Sequence, residues 1–153
     1  MNAPITELEE ILALAGARGQ AKGLPYAGEV TPTEAHCLLV AHGARIIDVR
    51  STFEHEYIGR VPGSSLIVWK HWPGGEINPD FVAELREQCS ADDVVLFLCR
   101  SGVRSHSTAV AAAEGGYTQA FNILEGFEGD LNDQGQRGQV GGWRKAGLPW
   151  VQS

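Results

Sequence analysis

Cysteine is scarce in this chain and poorly spaced for structural use. The three cysteines, Cys37, Cys89 and Cys99, are an odd number and include no Cys-x-x-Cys pair. They fit neither a disulfide framework nor a zinc site, and reduced thiols are expected. The five histidines, at positions 36, 42, 55, 71 and 106, show no His-Glu-x-x-His or similar spacing, so neither a metal nor any other cofactor is expected. Positive charge is short too: 12 Lys and Arg stand against 19 Asp and Glu, for a net charge of −7. That speaks against nucleic acid, which calls for a basic face. No apolar run is long enough to span a bilayer. The opening MNAPITELEE lacks the basic segment and apolar stretch of a secretory signal. The expectation is a cytoplasmic protein with no membrane partner. The acidic surplus does not exclude a small anionic substrate, because a small site acts through its local field.

What is present is an ordinary globular composition, 43% hydrophobic and 20% charged over 153 residues, which suits one domain. Thr6 to Ala17 reads as an amphipathic helix, with Thr6 and Glu9 at capping-box spacing and Ile5, Leu8, Ile11, Leu12 and Leu14 on one stripe. A glycine-rich stretch with Pro25 follows. Residues 1–27 are therefore expected to be a helical arm packed on a domain at 28–153. Thr31, Pro32 and Glu34 start a second helix that stops at Gly43. Short apolar runs at 44–49, 64–69, 93–99 and 119–124 read as strands. Between them, Asn78-Pro79 starts a helix to about Gln88, and Gly102 to Ala113 reads as another. Val94 to Leu98 is apolar throughout, as in parallel strands covered on both faces. Alternating strands and helices predict an α/β fold with a mostly parallel sheet. A glycine-rich loop at 126–140 precedes a last short helix in GGWRKAGLPW.

The one tight cluster of positive charge surrounds a thiol, in FLCRSGVRSHS at 97–107. Cys99 ends the strongest strand and a helix begins a few residues later, where open α/β sheets place ligands. Gly102 allows a tight turn. The N–H groups of the turn and first helical turn form an anion-binding nest. Arg100 and Arg104 add fixed charge and forked donors, while Ser101 and Ser105 are capping or hydrogen-bonding candidates. The same surroundings favour a thiolate nucleophile. One arrangement thus activates the sulfur and attracts an anionic donor to it.

CRSGVRS resembles the active-site loop of the rhodanese family of sulfurtransferases. IIDVRSTFEHEYIGRVPGS at 46–64 is similar to the family's upstream signature, an Asp-Val-Arg strand end, an acidic helix and a Gly-x-x-Pro-Gly turn. GGWRKAGLPW at 141–150 resembles its C-terminal signature. The resemblance implies a central parallel sheet of about five strands with helices on both faces. It implies sulfane-sulfur transfer from a donor such as thiosulfate to a thiol, cyanide or protein acceptor, through a persulfide on Cys99. Arg100, Ser101, Gly102, Val103, Arg104 and Ser105 are then the substrate-binding loop. The segment 126–140 departs from the family pattern. It is expected on the active-site side of the sheet, with Arg137 approaching the site.

Two other functions share the loop chemistry. A phosphatase or arsenate reductase also cradles an oxyanion beside a cysteine, but with five residues between cysteine and arginine; here four separate Cys99 from Arg104. A carrier passing persulfide sulfur between proteins is the third reading. Asp48 and Arg50 read as a structural ion pair and His106 as a helix-surface residue. Trp69, Trp72, Trp143 and Trp150 read as core or rim, with Trp72 a candidate pocket wall. Cys37 reads as core and Cys89 as exposed.

Overall fold

The first two helices begin where a threonine oxygen replaces a missing carbonyl. In the computed structural model, which describes residues 6–153, α2 spans Pro32–Ala41 behind a complete capping box. Thr31 Oγ1 accepts the Glu34 N–H at 3.1 Å and the Glu34 carboxylate accepts the Thr31 N–H at 2.9 Å, which satisfies two of the donors a helix start leaves free. At Thr6 only half of the box forms, Thr6 Oγ1 accepting the Glu9 N–H at 3.1 Å. Ile5 lies outside the described residues. Helix α1 spans Glu7–Lys22 and stops at Gly23 in the left-handed region, well past the expected end at Ala17. Tertiary bonds carry it further. Arg18 forks onto Glu34 at 2.7 and 3.0 Å and reaches the Glu29 carbonyl at 2.8 Å.

Five strands make one sheet in the order β1-β5-β4-β2-β3: β1 is Gly28–Val30, β2 Arg45–Asp48, β3 Ser65–Leu66, β4 Val95–Leu98 and β5 Ala120–Ile123. Every pairing is parallel. Strand β1, three buried residues at the sheet edge, lies in a stretch that carries no strand signal. Its partner β5 supplies the pairing, and α1 covers it so closely that a Cβ on Gly28 would strike the Ala15 carbonyl. Helices α3, Phe81–Gln88, and α4, Val103–Glu114, complete the helical set.

The period of two along each strand splits the core. Ile47, Val95 and Phe97 face one cluster with Phe81, Leu85, Ala109 and Ala112. Ile46, Leu96 and Leu98 face the other with Ala15, Leu38, Phe127 and Trp143. Helices therefore cover both faces, as the apolar strands require. No helix among the described residues is long and apolar enough to cross a membrane.

Three expectations need correction. The last short helix is instead a set of turns over 142–147. Gly142 at φ 104° and Gly147 at φ 77° break the helical path, while Trp143, fully buried, anchors the segment by donating its backbone N–H to the Gly126 carbonyl at 2.8 Å. Cys37 is half-buried rather than core, its thiol turned outward to Glu7 at 3.1 Å. Cys89 is buried rather than exposed, because the chain turns inward after α3 to enter β4.

Candidate active site

Strand β4 delivers Cys99 to the C-terminal edge of the sheet, next to Val49 beyond β2, whose N–H bonds the Leu98 carbonyl. From there the chain makes a tight hook into α4. Gly102 sits at φ 106° as the helix N-cap and no side chain caps the helix; Ser101 and Ser105 do not take that role. The hook aims its carbonyls away from the thiol. The Cys99 carbonyl accepts from Phe127 N–H at 2.8 Å, the Arg100 carbonyl from Glu128 and Gly129 N–H at 2.9 and 3.1 Å, and the Gly102 carbonyl from His106 N–H at 3.2 Å and Asn122 Nδ2 at 3.1 Å. With three carbonyls pinned outward, the N–H edge of the hook is left for the sulfur side. Gly102 N–H donates to Cys99 Sγ at 3.0 Å. Among the described residues no partner takes the N–H groups of Val103, Arg104 or Ser105, the usual orphans of a helix start and a ready anion cradle. The segment after β5 builds this edge. Gly126, at φ 64°, lies so close to the Arg100 backbone that a Cβ there would overlap it.

The thiol itself is 1% exposed and packs on the α3/α4 side of the core. Besides Gly102, Sγ meets Ser105 Oγ at 3.2 Å. Ser105 Oγ is also bonded to Asn122 Oδ1 at 2.6 Å.

The two arginines of the hook do different things. Arg100 is exposed and its side chain makes no hydrogen bond among the described residues. Arg104 is clasped by Glu54, Nη1 to Oε1 at 2.7 Å and Nη2 to Oε2 at 2.9 Å, a bidentate pair. Neither guanidinium bonds Sγ. Burial alone would push the Glu54 carboxyl up, but the Arg104 hydrogen bonds and charge, with Ser51 N–H and hydroxyl, outweigh it and hold the group at about 2. Those Glu54 bonds raise Arg104 against an opposing effect of burial, and the Glu54 and Asp48 charges add to the rise. Glu54 opens a π-helical turn, Glu54–Ile58. Val103 is exposed.

Beneath the hook lies the expected ion pair. Arg50 Nε and Nη2 bond Asp48 at 2.9 and 2.7 Å, and Nη2 reaches the Gly59 carbonyl at 2.6 Å. Both residues are fully buried, and the Phe127 ring lies 4.5 Å from the guanidinium. Its role is to hold strand end, Gly-x-x-Pro-Gly turn and hook together. His106 stands on the outer face of α4 with Nδ1 2.7 Å from the Tyr26 hydroxyl. Trp72 is 85% exposed and, with Ser51, Thr52, Phe53, Val68 and His71, walls a cleft of about 280 Å³. Ser51 ties that cleft to Glu54, donating its hydroxyl at 3.0 Å. Arg137 turns to the Gly129 carbonyl at 2.8 Å, so it braces the segment that holds Arg100.

Two site residues escape the sequence reading. Glu54 carries a usable signal, since Ser51-x-x-Glu54 has the same capping spacing that marks Thr31 and Glu34. Asn122 shows only as the one polar residue in the apolar run AFNIL.

The site is thus a buried cysteine in an N–H-lined hook at a strand end of a parallel α/β sheet. The model of the Rhodanese-like domain matches residues 31–133, and the chain belongs to that family. Rv0390 from M. tuberculosis, known from a crystal structure, is 40% identical with a TM-score of 0.72, over 84% of this chain and 99% of that one. The uncharacterized protein RC0915 of Rickettsia conorii is 28% identical over 125 residues, 79% of this chain and 94% of its own. Thiosulfate sulfurtransferase GlpE of Actinobacillus succinogenes is 26% identical over 121 residues, 79% of this chain and 87% of its own.

Proposed function

We propose that the protein is a sulfurtransferase that carries a sulfane sulfur on Cys99 as a persulfide. The observation that carries this reading is the polarity of the hook: three carbonyls bonded outward, Gly102 N–H on Sγ at 3.0 Å, and the free N–H groups of the α4 start beside it. Such an edge stabilises negative charge on or next to the sulfur.

With thiosulfate as donor, the Cys99 thiolate attacks the outer sulfur. An S–S bond forms at Sγ, the bond to the sulfonate sulfur breaks, and sulfite leaves with that electron pair. Cyanide or an acceptor thiolate then takes the terminal sulfur and returns Cys99 as thiolate, so charge and electrons balance in both halves. Each terminal charge sits against the orphan N–H groups. Arg104 is committed to Glu54 and is not spent on the oxyanion. This geometry speaks for sulfur transfer over phosphoryl chemistry, in which the loop arginine has to clasp the tetrahedral group itself.

The test is thiosulfate–cyanide turnover for the wild type and Cys99→Ser, with an aryl phosphate as a second substrate. Turnover of thiosulfate that is lost in Cys99→Ser supports the reading. Turnover of the aryl phosphate alone overturns it.

A further inference from the structure

The hydrogen bonds around Cys99 have a direction, and it can be worked out donor by donor. Asn122 is buried in β5. One end of its amide lies 3.1 Å from the Gly102 carbonyl, which only accepts, so that end is the NH2 group. The other end is therefore Oδ1, which only accepts, and it lies 2.6 Å from Ser105 Oγ. Ser105 has a single hydroxyl hydrogen and must give it to Asn122. What Ser105 presents to Cys99 Sγ across 3.2 Å is a lone pair. That contact is a bond only if the sulfur carries the hydrogen, S–H donating to Ser105.

We infer that Asn122 is a positioning residue that holds the Ser105 hydroxyl turned away from Cys99, so that the site rests as a thiol and charges only when that hydroxyl swings onto the sulfur. This rests on the sulfurtransferase reading and deepens it. When the thiol gives its proton to water, a lone pair would face a negative sulfur unless Ser105 releases Asn122 Oδ1 and donates to Sγ instead. The hook then offers two donors, Gly102 N–H and Ser105 O–H, to a thiolate or persulfide. The gate guards an idle nucleophile, and the cost of opening it is the Asn122–Ser105 bond.

The experiment follows alkylation of Cys99 by iodoacetamide across pH, read by peptide mass in the full-length protein. The thiolate sulfur forms a bond to carbon and iodide leaves. The charged and titratable groups around the site, Arg100 in the hook, Arg104 on α4, Glu54 in the π-turn, Asp48 at the end of β2 and Arg50 beyond it, His55, and Tyr26 with His106, stay in place in every variant. Asn122→Leu frees the Ser105 hydroxyl. Alkylation at neutral pH is expected to rise about 3- to 10-fold, the cost of breaking the one ordinary hydrogen bond that the wild type gives up and the variant lacks. The profile moves to the acid side and its high-pH plateau does not change. Asn122→Ala, which asks less of the packing, is expected to show the same gain. Adding Ser105→Ala to either variant is expected to remove the gain, because it acts through that hydroxyl. An unchanged or slower reaction in both Asn122 variants overturns the inference, as does a gain that survives Ser105→Ala. The readout is the thiol itself, so it stands apart from whether Cys99 loads sulfur.

Discussion

Two cysteines flank β4, and they are almost equally hidden: Cys89 is 3% exposed and Cys99 is 1%. Cys89 closes α3 in the apolar core, where burial pushes its thiol up, Arg45 opposes by less and Asp93 adds a still smaller rise. Its polar contact runs through its backbone, whose carbonyl accepts the Tyr117 hydroxyl at 2.6 Å. Cys99 instead meets an N–H at 3.0 Å and a hydroxyl at 3.2 Å, with orphan helix donors beside it. Burial is the same and the neighbours differ. Under the proposed function, reactivity follows from which backbone edge a strand end presents to the sulfur, and the pinned carbonyls of residues 99, 100 and 102 choose that edge.

The comparison breaks most visibly at the sulfur itself. Cys99→Ser is expected to drop thiosulfate–cyanide turnover to the uncatalysed rate, while Cys89→Ser keeps wild-type turnover in the same assay. Next comes the support of the reactive end. Arg50→Ala leaves Asp48 buried and unpaired and is expected to cost roughly 3–5 kcal/mol in denaturant unfolding. A change on the Cys89 side such as Tyr117→Phe, which leaves one carbonyl unpaired, is expected to cost only about 1–3 kcal/mol.

A smaller effect tests the Arg104 clasp. Glu54→Gln is expected to lower stability at neutral pH by roughly 1–2 kcal/mol, the worth of charge-assisted hydrogen bonds at a partly exposed pair. The Glu54 carboxyl is depressed from 4.5 to about 2, so its contribution is fully present above the unfolded value and is lost as pH falls toward 2. Wild type and variant should therefore converge in thermal melts between pH 4.5 and 2, and a gap that stays constant there would contradict the assignment. The smallest effect is at Arg137. Arg137→Ala is expected to change kcat/KM for thiosulfate less than about 3-fold, because the guanidinium braces Gly129 and Glu128 and Gly129 still hold the Arg100 carbonyl.

Much of this was legible from residues because it is local. The Thr31–Glu34 box, the all-apolar β4, the Gly102 turn and the Asp48–Arg50 pair each follow from residues within a few positions. What was not legible depends on partners far along the chain. Strand β1 exists because β5 pairs with it, and three residues beside glycine carry no period of their own. Glu54 meets Arg104 across 50 positions, so a search for an acid near the hook in sequence finds none. The turns at 142–147 replace a helix because Trp143 is drawn into the core. Cys37 and Cys89 depart from their expected burial for a similar reason: a mid-helix position and a polar loop say less about burial than the direction in which the chain next turns.

Under the proposed function Cys99, and no other thiol, accepts a sulfur atom. The decisive measurement is intact mass after incubation with thiosulfate and removal of excess donor. Wild type and Cys89→Ser are expected to gain the mass of one sulfur atom, lost again on addition of cyanide, and Cys99→Ser is expected to gain nothing. A sulfur adduct that persists in Cys99→Ser, or its absence from the wild type, would contradict the account.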